Sequence, residues 1–139
     1  MSIQAVLLPL FVQVTLTFVL GFWMAYLRTS AITRGEVRMR DIALREPNWP
    51  PRATQVGNAF HNQLELPVLF YVLTILAWIT RHADLVFVVM AWIFVLARLA
   101  HAYVHTTSNH VPTRFWVFAV GMLVLLLMWI IFALRILAA

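Results

Sequence analysis

The 139-residue chain contains no cysteine and no lysine, and only 11% of its residues are charged. Without cysteine there is no disulfide, no thiolate metal site and no cysteine nucleophile, and the redox compartment leaves no mark on the sequence. A charged fraction this low is far below the quarter typical of soluble domains. Hydrophobic residues make up 63% of the chain, the mean hydropathy is +0.89, and six Trp, ten Phe and three Tyr exceed what so short a soluble protein can hide. A soluble enzyme, a disordered tail and a nucleic-acid module are therefore excluded, and a bilayer is the expected solvent. The net charge of +5 comes entirely from arginine, and six of the ten arginines lie between positions 28 and 52, so the charge is local.

A spanning helix needs roughly 20 mostly apolar residues. Four such stretches are present, about 5–27, 54–80, 84–105 and 113–137, and they use nearly the whole chain. We expect one domain over residues 1–139: an all-α membrane protein built as a four-helix transmembrane bundle. The first stretch carries no basic residue before Arg28 and is longer than a leader's apolar core, so it is expected to be a mature helix. The loop 28–53 carries Arg28, Arg34, Arg38, Arg40, Arg45 and Arg52, and Glu46-Pro47-Asn48-Trp49-Pro50-Pro51 breaks any helix before the second span. The positive-inside rule puts this loop in the cytoplasm and both termini on the other side.

The polar residues inside the spans carry most of the information. Asn58, His61, Asn62 and Glu65 recur at i, i+3, i+4 and i+7, one stripe of a continuous helix, and Arg98, His101 and His105 repeat the spacing in the third span. Neither stripe tolerates acyl chains. Counted from the loop end at ~1.5 Å per residue, Glu65 and Arg98 lie roughly 16 Å and 11 Å deep, in one layer. A lone central charge costs on the order of 2.5–3.5 kcal/mol, so each is expected to pair or to line a wet cavity. The two could simply neutralise each other, with Asn62 as interhelical glue. Against that, Arg38, Arg114 and the histidines converge on the same end, and one carboxylate cannot satisfy several cations. The missing negative charge points to an anionic ligand, with Glu65 free to hold an ammonium. Arg135 is expected to snorkel to the far interface, Pro67 to kink the second span, and the tryptophans to anchor or pack.

Three segments resemble the membrane-associated proteins in eicosanoid and glutathione metabolism, the MAPEG family, which includes microsomal glutathione transferases and the terminal prostaglandin E and leukotriene C synthases. They are Gly35-Glu36-Val37-Arg38-Met39-Arg40, then Asn58 to Glu65 followed by Pro67, and Arg98-Leu99-Ala100-His101 with Arg114 beyond Pro112. The resemblance implies a homotrimer of four-helix bundles with glutathione held between subunits. It makes Arg38, Asn62, Glu65, Arg98 and His101 ligand contacts, with His105 beside them, and Arg114 the catalytic partner of the thiolate. The second substrate would be a lipophilic electrophile or lipid hydroperoxide met in the membrane. Mammalian members usually carry an arginine where His61 stands, a tyrosine where His105 stands, and a small hydroxyl side chain in place of Phe115.

Three other readings remain open at this point. A non-catalytic protein of the same fold could bind an anionic lipid or metabolite. His61, Glu65, His101 and His105 could ligate a metal, although Arg98 one turn away repels a cation, and no metal is expected. A channel or transporter has little material in four short helices.

Overall fold

The computed structural model describes residues 1–45 and 47–139; Glu46, the first residue of the expected helix breaker, lies outside them. Among the described residues the regular structure is entirely helical: α1 (Ile3–Thr33), a 3-10 turn (Met39–Ile42), α2 (Pro51–Asn62), α3 (Leu66–Ile79), α4 (Leu85–Thr106) and α5 (Val111–Leu137). Four segments are long and apolar enough to cross a membrane: α1, α2 with α3, α4, and α5. The protein is thus an integral, multi-pass membrane protein. Three spans fall close to the expected limits. The first continues past residue 27 to Thr33, carrying Arg28 on its last turns.

The second span differs from the continuous helix expected over 54–80. It breaks at 63–65, where Gln63, Leu64 and Glu65 make tighter i→i+3 bonds to Phe60, His61 and Asn62 (2.9, 3.0 and 3.4 Å). The cause is Pro67: it has no N–H to donate, and its ring crowds the carbonyl of residue 63, so the effect is a break rather than a kink. Glu65 consequently sits outside both helices. Irregular backbone at membrane depth is tolerated only where it is buried in protein or lines a cavity.

Helix α4 is the hub, packing on α5 along one side and on α1 and α2 along others, while α3 touches α1 and α5. Toward the termini the core is apolar, with Val6, Phe70, Leu73, Ala91, Phe94, Val95, Leu125 and Met128 buried together. A smaller cluster of Leu20, Ala59 and Ala102 lies toward the arginine-rich loop. Between them runs a buried polar layer of Gln13, Gln63 and Arg98. The loop end is fastened by Arg52, which donates to the Thr106 carbonyl and stacks over Trp23, and by Gln55, which donates to the His105 carbonyl at 2.8 Å. Arg28 likewise stacks over Trp49 at 4.8 Å.

At the opposite end Arg135 does more than reach the interface. Its guanidinium meets the Asp84 carboxylate at 2.8 Å, and Asp84 caps α4 by accepting from the Phe87 N–H at 2.9 Å. Burial pushes the Asp84 carboxyl up, but the Phe87 N–H and Arg135 outweigh it, and its pKa falls below the ordinary value. A lowered carboxyl pKa adds stability above the unfolded-state value of about 3.9 that is lost as pH falls through the folded-state value. Asp84→Ala is therefore expected to cost about 1 kcal/mol at neutral pH. Thermal unfolding in detergent should show the gap between variant and wild type narrowing below about pH 4.

Candidate functional site

The break in the second span turns a run of polar side chains toward α4 and α5. Asn58 and His61 come from the last turns of α2, Asn62 from its final residue and Glu65 from the break; His101 and His105 come from α4, and Arg114 from the first turn of α5. These seven line one open cavity of about 320 Å³. The four residues of the sequence stripe thus line one space together although the continuous helix is interrupted, because the tight turn at 63–65 keeps Glu65 on the side of Asn62.

Behind the cavity wall lies Arg98, only 1% exposed and not a lining residue. Its Nη2 donates to the Asn62 carbonyl (3.3 Å), to Asn62 Oδ1 and to Gln63 Oε1 (3.2 Å). Asn62 in turn donates through Nδ2 to Glu65 Oε2 at 3.2 Å. Glu65 and Arg98 therefore form no direct ion pair; Asn62 links them, held on one face by a cation and holding a carboxylate on the other. Gln13 of α1 completes the layer by donating to Gln63 Oε1 at 2.9 Å. The Arg98 Nε and Nη1 remain buried without a hydrogen-bond partner, and the Phe118 ring lies 5.9 Å from the guanidinium carbon.

Arg114 faces a second space as well. With Asn62 and His101 it borders a pocket of about 250 Å³ whose other walls are Val111, Phe115 and Phe118. Three polar side chains thus separate a polar cavity from an apolar one. His101 packs edge-on against His105, with ring centroids 5.4 Å apart, and tilts against Phe118 at 5.6 Å. Beyond Asn58, His61 and Glu65 runs a larger groove of about 690 Å³, bounded also by Arg28, Arg45 and Trp49.

Of the sequence-expected site residues, Asn62, Glu65, His101, His105 and Arg114 come together in the polar cavity. Arg98 lies behind them, and Arg38, exposed at the start of the 3-10 turn, lines neither space. Among the described residues no three His, Asp or Glu side chains are grouped to hold a metal ion. Gln13, Gln63 and Asn109 escaped the sequence reading. A single glutamine deep in an apolar 31-residue helix was an available signal for Gln13. Asn109 lies in a short turn whose residues show no periodicity.

Four spans closing around a polar cavity at one end, with a more apolar pocket beside it, define a class, a multi-pass membrane protein with two adjoining cavities of different character. The chain belongs to the MAPEG family, whose family model matches residues 6–134. No curated protein and no solved structure gives a significant match to it.

Proposed function

We propose that the protein is a glutathione-dependent transferase or peroxidase acting on lipophilic electrophiles or lipid hydroperoxides. The observation that carries this reading is the shared wall: Arg114, Asn62 and His101 stand between a polar cavity and an apolar pocket. Such a wall suits a reaction between a hydrophilic nucleophile and a membrane-dissolved partner. The donor set fits glutathione, which carries two carboxylates, one ammonium and a thiol. Among the described residues Glu65 is the only carboxylate lining the cavity, against one guanidinium and three imidazole side chains. Forked or paired N–H groups suit the carboxylates, and Glu65 suits the ammonium.

Within this reading each side chain has a task. Glu65, oriented by Asn62, accepts from the ammonium; Asn58 and His61 donate at the rim. Arg114 stabilises the thiolate, lowering the thiol pKa from about 8.5 toward neutrality. Val111, Phe115 and Phe118 receive the apolar end of the second substrate. Arg98 serves by holding Asn62 rather than by meeting the ligand. The protein works as a single domain, with the arginine-rich loop in the cytoplasm and both termini opposite. Since the cavity is open to one side, three copies assembled side by side would close it, and Arg38 of a neighbour would be free to enter.

The test is an ultraviolet difference spectrum of purified protein titrated with glutathione at neutral pH. A saturable thiolate band is expected; its absence favours a non-catalytic protein that binds an anionic lipid or metabolite. Glu65→Gln is expected to weaken glutathione binding by roughly 10- to 150-fold, the worth of one hydrogen bond to a charged group at about 1.5–3 kcal/mol. Turnover at saturation should change much less, because the lost contact holds the ammonium and not the sulfur.

A further inference from the structure

The turn between α4 and α5 holds a residue for which the family assignment provides no task. Asn109 has φ +49°, in the left-handed region that asparagine tolerates better than most residues. Its backbone N–H donates to the Val104 carbonyl at 2.8 Å, which closes the end of α4. With the backbone fixed in this way, the side chain is carried toward the first turn of α5, where its Oδ1 accepts from Arg114 Nη1 at 2.6 Å.

The chemistry of this acceptor matters. Arg114 is half-buried beside the cavity, and the usual partner for such a guanidinium is a carboxylate. An amide oxygen fixes the guanidinium with one hydrogen bond and leaves its positive charge uncompensated. The charged and titratable groups around Arg114 are Glu65 and His61 from the second span, Arg98, His101 and His105 from α4, and His110 in its own turn. Among the described residues Glu65 is the only anion in this set, and it is already engaged by Asn62. The remaining guanidinium nitrogens of Arg114 are thus available to an incoming anion.

We propose that Asn109 is a positioning residue that anchors Arg114 without neutralising it, so that the full charge acts on the bound sulfur. This rests on the glutathione reading above. Asn109→Asp separates the anchor's geometry from its charge. Aspartate has the same shape, also tolerates a left-handed backbone and still accepts from Arg114, but it brings a negative charge to the guanidinium. An opposite charge at contact distance shifts a neighbouring titration by about one to three pH units.

The experiment is the pH titration of the thiolate band in wild type, Asn109→Asp and Asn109→Gly. The proposal expects the Asn109→Asp midpoint to rise by about one pH unit or more, roughly tenfold less thiolate at neutral pH. Asn109→Gly keeps the turn but loses the anchor, and its midpoint is also expected to rise, as the unheld guanidinium spends less time beside the sulfur. A structural role in the turn alone predicts unchanged midpoints in both variants, since each accommodates the backbone. If wild type gives a band whose midpoint Asn109→Asp leaves in place, the anchor is refuted while the glutathione reading stands. If wild type gives no band at any pH, the glutathione reading falls, and the task assigned to Asn109 falls with it.

Discussion

Arg114→Ala is expected to lower glutathione-dependent turnover at neutral pH by about 10²–10³-fold, the range found when one charge-stabilising donor is removed from a reacting site. Among the described residues Arg114 is the only arginine lining the polar cavity and the apolar pocket. Removing it deletes the positive charge at the wall where, on the proposed function, the two substrates would meet. Glutathione should still bind through Glu65, so the loss falls mainly on kcat. The pH profile checks the cause. A thiol without electrostatic help ionises near its ordinary value of about 8.5, and raising the pH supplies the thiolate that the variant cannot stabilise. Activity of the variant should therefore climb toward that of wild type above about pH 9. A deficit equally deep at high pH would assign Arg114 to folding or to binding the second substrate. Arg114→Lys, which keeps the charge but not the fork, should recover part of the loss.

Asn62→Leu carries the largest expected loss of stability. The leucine keeps the branching at Cγ but withdraws the side-chain oxygen from Arg98 and the amide nitrogen from Glu65 at once. Arg98 is left in the interior with the Asn62 backbone carbonyl and Gln63 Oε1 for all its donors, and two of its nitrogens already lack partners. Hydrogen bonds to charged groups contribute about 1.5–3 kcal/mol each, so a loss of about 2–3 kcal/mol is expected in unfolding measured in detergent or bicelles. The double variant Asn62→Leu with Arg98→Met removes the stranded charge and should recover much of the stability without restoring glutathione binding. Recovery of binding in that double variant would show that the Asn62–Glu65 contact has no functional part.

The membrane character and three of the four spans were legible because lipid solvent imposes long apolar runs that no tertiary contact is needed to explain. The polar stripes were legible for the complementary reason, since Asn58, His61, Asn62, Glu65, His101 and His105 cannot face acyl chains. The interruption at 63–65 was not, although Pro67 was noted. Whether a proline kinks or splits a helix depends on what satisfies the freed backbone, and here Arg98 from another helix accepts that task at the Asn62 carbonyl. Arg98 was expected to pair with Glu65 or to meet a ligand, and its side chain reaches Asn62 and Gln63, because spacing fixes a helix face and not the reach of a long side chain. Arg38 was grouped with the site by its place at the same end and by its motif, and the structure leaves it exposed on the loop.

The sequence by itself determined the solvent, the number of crossings, the family and the set of side chains that had to avoid lipid. These follow from composition and local periodicity, which each segment carries alone. Only the tertiary structure decided that Asn62 would bridge a buried guanidinium to a carboxylate, that Arg114 would stand between a polar and an apolar space, and that Asn109 would hold it there. Those pairings join residues up to 36 positions apart. They depend on how helices pack and where a turn aims a side chain, and no window of sequence contains both partners' geometry.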